Sequence, residues 1–181
     1  MSMKRNLSII LATAIVLSMT ACGEKENNVS DTDSGATSET LKAGRIGNGS
    51  ITIAGYTEDN VYGADFDNDG VLEFRISNDY ISYNWTEGGN NIVNKANQWD
   101  YIEAIGTNVT IDANSRFEGQ GDAMFENVGS LPELFFVGCR FRLGDGIHYG
   151  WIKVKMVNGQ LEWGECVYRT TPGVSITTGN N

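Results

Sequence analysis

The chain has one histidine, two prolines and only 13 basic residues against 23 acidic ones. A single histidine, His148, cannot build a zinc site of the usual kind, and no nucleophile motif accompanies it. The formal charge of −10 makes nucleic acid and anionic lipid poor partners. Divalent cations, basic partners and neutral glycans fit it better. The apolar run from Leu7 to Leu17 is too short to span a bilayer comfortably. No stretch carries a convincing helical period.

What stands at the N-terminus is an address. Lys4 and Arg5 precede the apolar run, and Met19-Thr20-Ala21-Cys22 places small residues before a cysteine. This is the pattern of a secretory signal over residues 1–21. Its M-T-A-C ending resembles the bacterial lipobox, with Met where Leu is usual. The resemblance implies cleavage before Cys22 and lipidation of that cysteine, anchoring the protein to a membrane without a spanning helix. Losing residues 1–21 removes two basic and no acidic residues, leaving 11 basic against 23 acidic and a formal charge of −12. Residues 22–45 lack aromatics and carry almost no large apolar side chain, so they read as a flexible tether. Their early acids, Glu24 and Glu26, resemble export signals of surface lipoproteins in the Bacteroidetes. The expected location is the cell envelope, as an outer-membrane lipoprotein facing the periplasm or the cell surface.

The most informative stretch is Asp65-Phe66-Asp67-Asn68-Asp69-Gly70-Val71-Leu72-Glu73. Carboxylates on alternate residues aim hard oxygen ligands at one point, and calcium accepts six to eight of them. Crowded acids repel one another unless a cation stands between them. Asp65, Asp67, Asp69 and Glu73 are the expected side-chain ligands, with the Val71 carbonyl and water completing the shell. Gly70 supplies the backbone conformation that bends the loop. The competing reading is an acidic turn, because Asp, Asn and Gly are common turn residues. The loop is not an EF-hand: position twelve falls on Ile76, and the flanks Val61-Tyr62 and Leu72–Ile76 read as strands. It resembles the short calcium loops of integrin-type propeller repeats and thrombospondin-type repeats.

Residues 46–181 are enough for one domain with a real core. Short alternating stretches recur between Gly, Asn and Asp clusters, at 51–56, 72–83, 99–105, 108–112, 123–128, 134–143, 147–157, 160–170 and 174–177. This spacing predicts an all-β fold, an antiparallel β-sandwich or jelly roll. Asn158-Gly159 predicts a tight hairpin in which Met156 faces Leu161, Lys155 faces Glu162 and Val154 faces Trp163. One face is then Ile152, Val154, Met156, Leu161, Trp163 and Val167. A second hairpin is expected at Gly144-Asp145-Gly146. Cys139 and Cys166 then flank one central strand, with Cα atoms roughly 9–10 Å apart, beyond the ~7 Å a disulfide allows. Both are expected to be small core residues.

The segment FFVGCRFRL…IHYGWIKVK…NGQLEWGECVYRTTPGVSITTG resembles an uncharacterised C-terminal β-rich module of exported bacterial proteins, including Bacteroidetes secreted proteins. The residues that carry the likeness are Gly138, Arg140, Phe141, His148, Tyr149, Gly150, Trp151, Tyr168, Pro172, Gly173, Ile176 and Gly179. Gly106 to Phe117 and the acidic loop extend it over most of residues 60–181. Cys139, Cys166 and Val167 depart from its usual residues. The resemblance implies a β-rich exported domain in which His148 holds a structural strand position, and it implies no activity.

Two further groups of residues bear on function. Tyr80, Tyr83, Trp85, Trp99 and Tyr101 mix with amide side chains over 80–101, as a sugar-stacking platform does; the candidate platform is Tyr83, Trp85, Trp99 and Tyr101. Against it, aromatics are favoured in strands for packing alone. Glu103, Asp122, Glu126 and Glu133 offer carboxylate pairs of the kind a glycoside hydrolase needs, although any acidic domain supplies such pairs. The leading expectation is a lipid-anchored, calcium-stabilised envelope protein that binds or adheres, to a glycan or an envelope protein, without catalysis. The alternatives are a glycan-binding accessory lipoprotein of polysaccharide uptake and a secreted hydrolase.

Overall fold

A computed structural model describes residues 40–84 and 89–179. The signal segment, Cys22, most of the tether and Trp85 lie outside the described residues. The strands are β1 (Leu41–Ala43), β2 (Arg45–Ile53), β3 (Tyr56–Asp65), β4 (Phe74–Ile76), β5 (Tyr80–Tyr83), β6 (Asn91–Ile92), β7 (Asn94–Lys95), β8 (Gln98–Ile102), β9 (Thr110–Ile111), β10 (Asp122–Met124), β11 (Leu134–Leu143), β12 (Gly146–Val157), β13 (Gln160–Arg169) and β14 (Ile176–Thr177). One sheet runs β1-β13-β12-β11-β6, a second runs β2-β3-β4-β5-β10-β8-β7, and β14 pairs with β9. The pairing is antiparallel except where β10 meets β8.

The main core lies between the two large sheets. Phe135, Val137, Cys139 and Phe141 alternate along β11 into it, as do Ile152 and Val154 from β12. They meet Ala64, Phe74, Ile76, Ile81 and Tyr83 from the opposing sheet. The five-stranded sheet is buried on its other face too. There Phe136, Tyr149, Trp151 and Val167 pack with Val93, Ile105, Ile111 and Ile176. Burial on both faces explains why β11 and β12 read as near-continuous apolar runs, FFV and YGW, instead of a clean alternation.

The Asn158-Gly159 hairpin has the predicted register: Met156 pairs with Leu161, Lys155 with Glu162 and Val154 with Trp163. Asn158 (φ 51°) and Gly159 (φ 77°) are both left-handed, the signature of the turn that matches strand twist. Beyond it the predicted face changes. A bulge between Ile152 and Val154 puts Cys166, not Glu165, opposite Ile152. The extra residue in β13 reverses its alternation, so Val167 joins Trp151 on the far face and Cys166 enters the main core. Cys139 and Cys166 are both free and buried. Burial pushes both thiols up, Cys166 to about 12 and Cys139 well above its ordinary value.

Other boundaries moved as well. A strand lies ahead of residue 46: β1 pairs with β13, and Leu41 half-covers the second core. The predicted strand at 72–83 breaks into β4 and β5 at Ser77-Asn78-Asp79, where the Ser77 N–H donates to the Tyr80 carbonyl at 3.0 Å. These are turn residues, and the turn wins over the flanking β-formers. The acidic strand β3 was not foreseen over its full length. It is specified by its partner β2 across the Ala54-Gly55 turn.

Gly150 shows how tightly the sheets approach. A Cβ there would lie 2.7 Å from the Val167 carbonyl oxygen and 2.8 Å from the Phe66 ring. Gly150→Ala is therefore expected to destabilise the domain by about 1–3 kcal/mol, read as a lower denaturant midpoint at unchanged slope.

Candidate metal centre

The acidic loop joins β3 to β4, and strand residues on both sides aim it. Asp65 ends β3 with its side chain fully buried, and Glu73 immediately precedes β4. The Glu73 N–H donates to the Ala64 carbonyl at 3.0 Å, closing the loop at its base. Between them Phe66 turns inward. Its ring is buried and stacks on Phe141 at 4.3 Å between centroids. Phe66 thus plugs the loop into the main core, a role the motif reading did not assign. The signal was present: one aromatic residue among four acids.

One oxygen each from Asp65, Asp67 and Glu73 lie within 4.8 Å of one another. Ligand oxygens sit 2.3–2.6 Å from calcium, so two ligands of one ion are at most about 5 Å apart. The three acids fit that limit. Asp69 stands outside this group. Its Oδ1 accepts the Val71 N–H at 2.7 Å, and Asp67 Oδ1 accepts the Asp69 N–H at 3.2 Å. These successive side-chain turns are what Asp does in any acidic loop. Val71 exposes its side chain, and its neighbours tie the loop to β2: Ser50 donates to the Gly70 carbonyl and Leu72 donates to that of Ser50. Gly70 has φ 94°, the conformation expected of it.

Asp65 is the most deeply buried acid of the loop. Its Oδ2 accepts from the Arg45 guanidinium at 2.9 Å and from the Gly70 N–H at 3.1 Å. Its Oδ1 is buried and has no hydrogen-bond partner among the described residues. A buried carboxylate oxygen without a donor is costly, and a turn does not require one. Glu73 adds to the tension. Burial, first, and then the charges of Asp67 and Asp65 push its carboxyl up to about 8, although its Oε2 accepts the Phe66 N–H at 2.6 Å. Asp67 is also raised, chiefly by burial. Lys42 and Arg45 are the nearby cations. Lys42 spends its Nζ on the Asp67 carbonyl at 3.1 Å, leaving Arg45 paired with Asp65. Asp65, Asp67 and Glu73 are the carboxylates here that could hold a cation.

The aromatic platform divides. Tyr83 is a core residue and not a surface one. It faces inward on β5, packs edge-on against Phe74, and donates its hydroxyl to Asn91 at 2.9 Å. Inward and outward residues alternate along a strand, so Tyr83 and Tyr80 cannot share a face. Trp99 and Tyr101 do lie on the outer face of the seven-stranded sheet, where Tyr101 pairs with Met124. The carboxylates Glu103 and Glu126 are ion-paired with Arg116 and Lys95. His148 is buried between Phe141 and Tyr168, with its ring nitrogens on the Arg169 carbonyl and the Asp145 carboxylate. It is locked in place on both sides, a structural arrangement.

The fold places the chain among all-β proteins of the antiparallel sandwich kind. No protein-family model, curated protein or solved structure matches it.

Proposed function

We propose that this protein is a lipid-anchored module of the bacterial cell envelope, with a binding or adhesive and non-catalytic role, and that calcium in the 65–73 loop is structural. The observation that carries the metal reading is the buried, donorless Oδ1 of Asp65 beside two further carboxylates. Asp65, Asp67 and Glu73 would hold the ion. The cation would staple β3 to β4 and, through Arg45, Ser50 and Ala43, fasten the start of the domain. Asn68 already donates to the Ala43 carbonyl at 3.1 Å, so the loop lies against the residues where the tether enters. The envelope assignment rests on the basic, apolar and M-T-A-C segments ahead of Cys22. The glycan-binding alternative draws on the outer-face aromatics Trp99 and Tyr101.

The test is thermal melting in 10 mM calcium against a chelator. Extracellular calcium sites bind with dissociation constants of about 0.1–1 mM, so saturation is worth about 1.4–2.7 kcal/mol. For a domain of this size the expected rise in Tm is about 5 °C or more, with Asp65→Asn abolishing it. Superimposable melting curves, or a full shift in Asp65→Asn, would falsify the metal site.

A further inference from the structure

The outer face of the seven-stranded sheet carries a continuous row of side chains that no pairing with the core explains. Across neighbouring strands, Glu58 stands beside Arg75, Arg75 pairs with Ser82, Ser82 with Asp122, and Met124 with both Tyr80 and Tyr101. The bulge between Gly49 and Ile51 supplies the alignment. It shifts β3 by one residue, and so brings Glu58 onto this face, where its carboxylate accepts from Arg75 at 2.7 Å. Tyr56 and Trp99 mark the two ends, exposed by 83% and 61%. At the Tyr56 end lies a groove of about 380 Å³, lined by Ile51, Ile53, Glu58, Arg75, Tyr80, Ser82 and Asp122 besides Tyr56.

The mixture of aromatic and charged side chains bears on the occupant. A protein-binding surface gathers apolar side chains at its centre and keeps charge at the rim. Here charge enters the groove itself: the Glu58–Arg75 pair and the exposed Asp122 line it together with Ile51, Ile53, Tyr56 and Tyr80. A sugar ring has the complementary surface, with C–H groups on its faces and hydroxyls along its edge. Aromatic faces take the first. Carboxylates and a guanidinium, whose hydrogen bonds are the stronger charge-assisted kind, take the second. Two carboxylates against one guanidinium, on a chain of net charge −10, select a neutral chain over an anionic one. Four strand spacings separate β3 from β8, about 19 Å, which suits several linked sugars better than one.

We infer that this sheet face binds a neutral oligosaccharide laid across the strands from Tyr56 to Trp99. The assignment deepens the reading of the protein as a binding module by naming its ligand class. The candidate residues move accordingly: Tyr83 drops out, and Tyr56, Glu58, Arg75, Tyr80 and Asp122 join Trp99 and Tyr101.

The test is native electrophoresis of the full chain in gels containing xyloglucan, laminarin, galactomannan or α-mannan, with polygalacturonate as the anionic comparison. At least one neutral polysaccharide is expected to retard the protein, and polygalacturonate is not. Trp99→Ala and Tyr56→Ala, both at exposed positions, are each expected to weaken the retardation by about tenfold while keeping the wild-type melting temperature. Tyr62→Ala, an exposed aromatic off this row, is expected to leave it unchanged. The inference is overturned if no neutral polysaccharide retards the chain, if polygalacturonate does so equally, or if both variants match wild type. Trp99-dependent self-association in sedimentation velocity also overturns it, by giving the face to a second copy. Melting in calcium reads the loop and retardation reads the sheet, so either failure is identified by itself.

Discussion

Stripped of divalent ions, the domain is expected to lose stability steadily as the pH rises from about 4.5 to about 8. The cause is Glu73. Its ordinary value of 4.5 is raised to about 8 in the fold, first by burial and then by the neighbouring Asp67 and Asp65. An acid with a raised folded value keeps its proton in the native state where the unfolded chain has already released it. The unfolded state therefore binds fewer protons across that window, and unfolding becomes easier with each step in pH. At 1.36 kcal/mol per unit the full span is about 5 kcal/mol, an upper bound because the surroundings relax. Asp67 shifts in the same direction. Lys42 opposes the shift of Asp67, but it is exposed enough to be screened. A calcium ion on this loop would need the deprotonated carboxylates, so its binding would release a proton and strengthen through the same window. Denaturant midpoints at pH 5 and pH 8 should then differ widely in chelator and little in calcium. Equal midpoints in chelator would remove Glu73 from the account. Glu73→Gln is expected to flatten the chelator curve and to lose the calcium response.

Phe66→Ala is expected to cost about 3–5 kcal/mol, the range for deleting a fully buried aromatic ring. Phe66 is in ring contact with Phe74, Phe141 and Tyr168, and it fills the space that Gly150 leaves open. The loss is expected to carry a second effect. With the plug gone, Asp65 and Asp67 are no longer held on either side of one inward-facing residue, so the calcium-dependent Tm shift should shrink as well. Phe66→Leu keeps most of the apolar volume and is expected to retain most of that shift. Equal stability of Phe66→Ala and wild type would show that the ring does not anchor the loop.

These two expectations meet in one nine-residue loop, and that loop was only partly legible. The alternate acids and Gly70 could be read directly, because ligand spacing is a local property of the chain. That Asp69 turns away to the Val71 N–H, while Asp65 is buried with one oxygen unpaired, depends on Phe66 finding Phe141, more than seventy residues later. The aromatics followed the same rule. Trp99 and Tyr101 could be placed on a strand, but Tyr83 was assigned to the surface because the turn at Ser77–Asp79 hid which face β5 presents. Tyr56 and Glu58 gave no local signal at all. The bulge between β2 and β3 sets their face, and no composition or spacing encodes a bulge.

By itself, the chain determined what is local. Alternation and turn residues set an all-β fold. Asn158-Gly159 set one hairpin and its first pairs, since a two-residue left-handed turn permits a single register. Only the tertiary structure decided the faces. One extra residue in β13 sent Cys166 inward and Val167 to the other side, and a second bulge set the face of Tyr56 and Glu58. Side chains alternate with a period of two, so a one-residue shift made by a distant partner reverses every assignment beyond it.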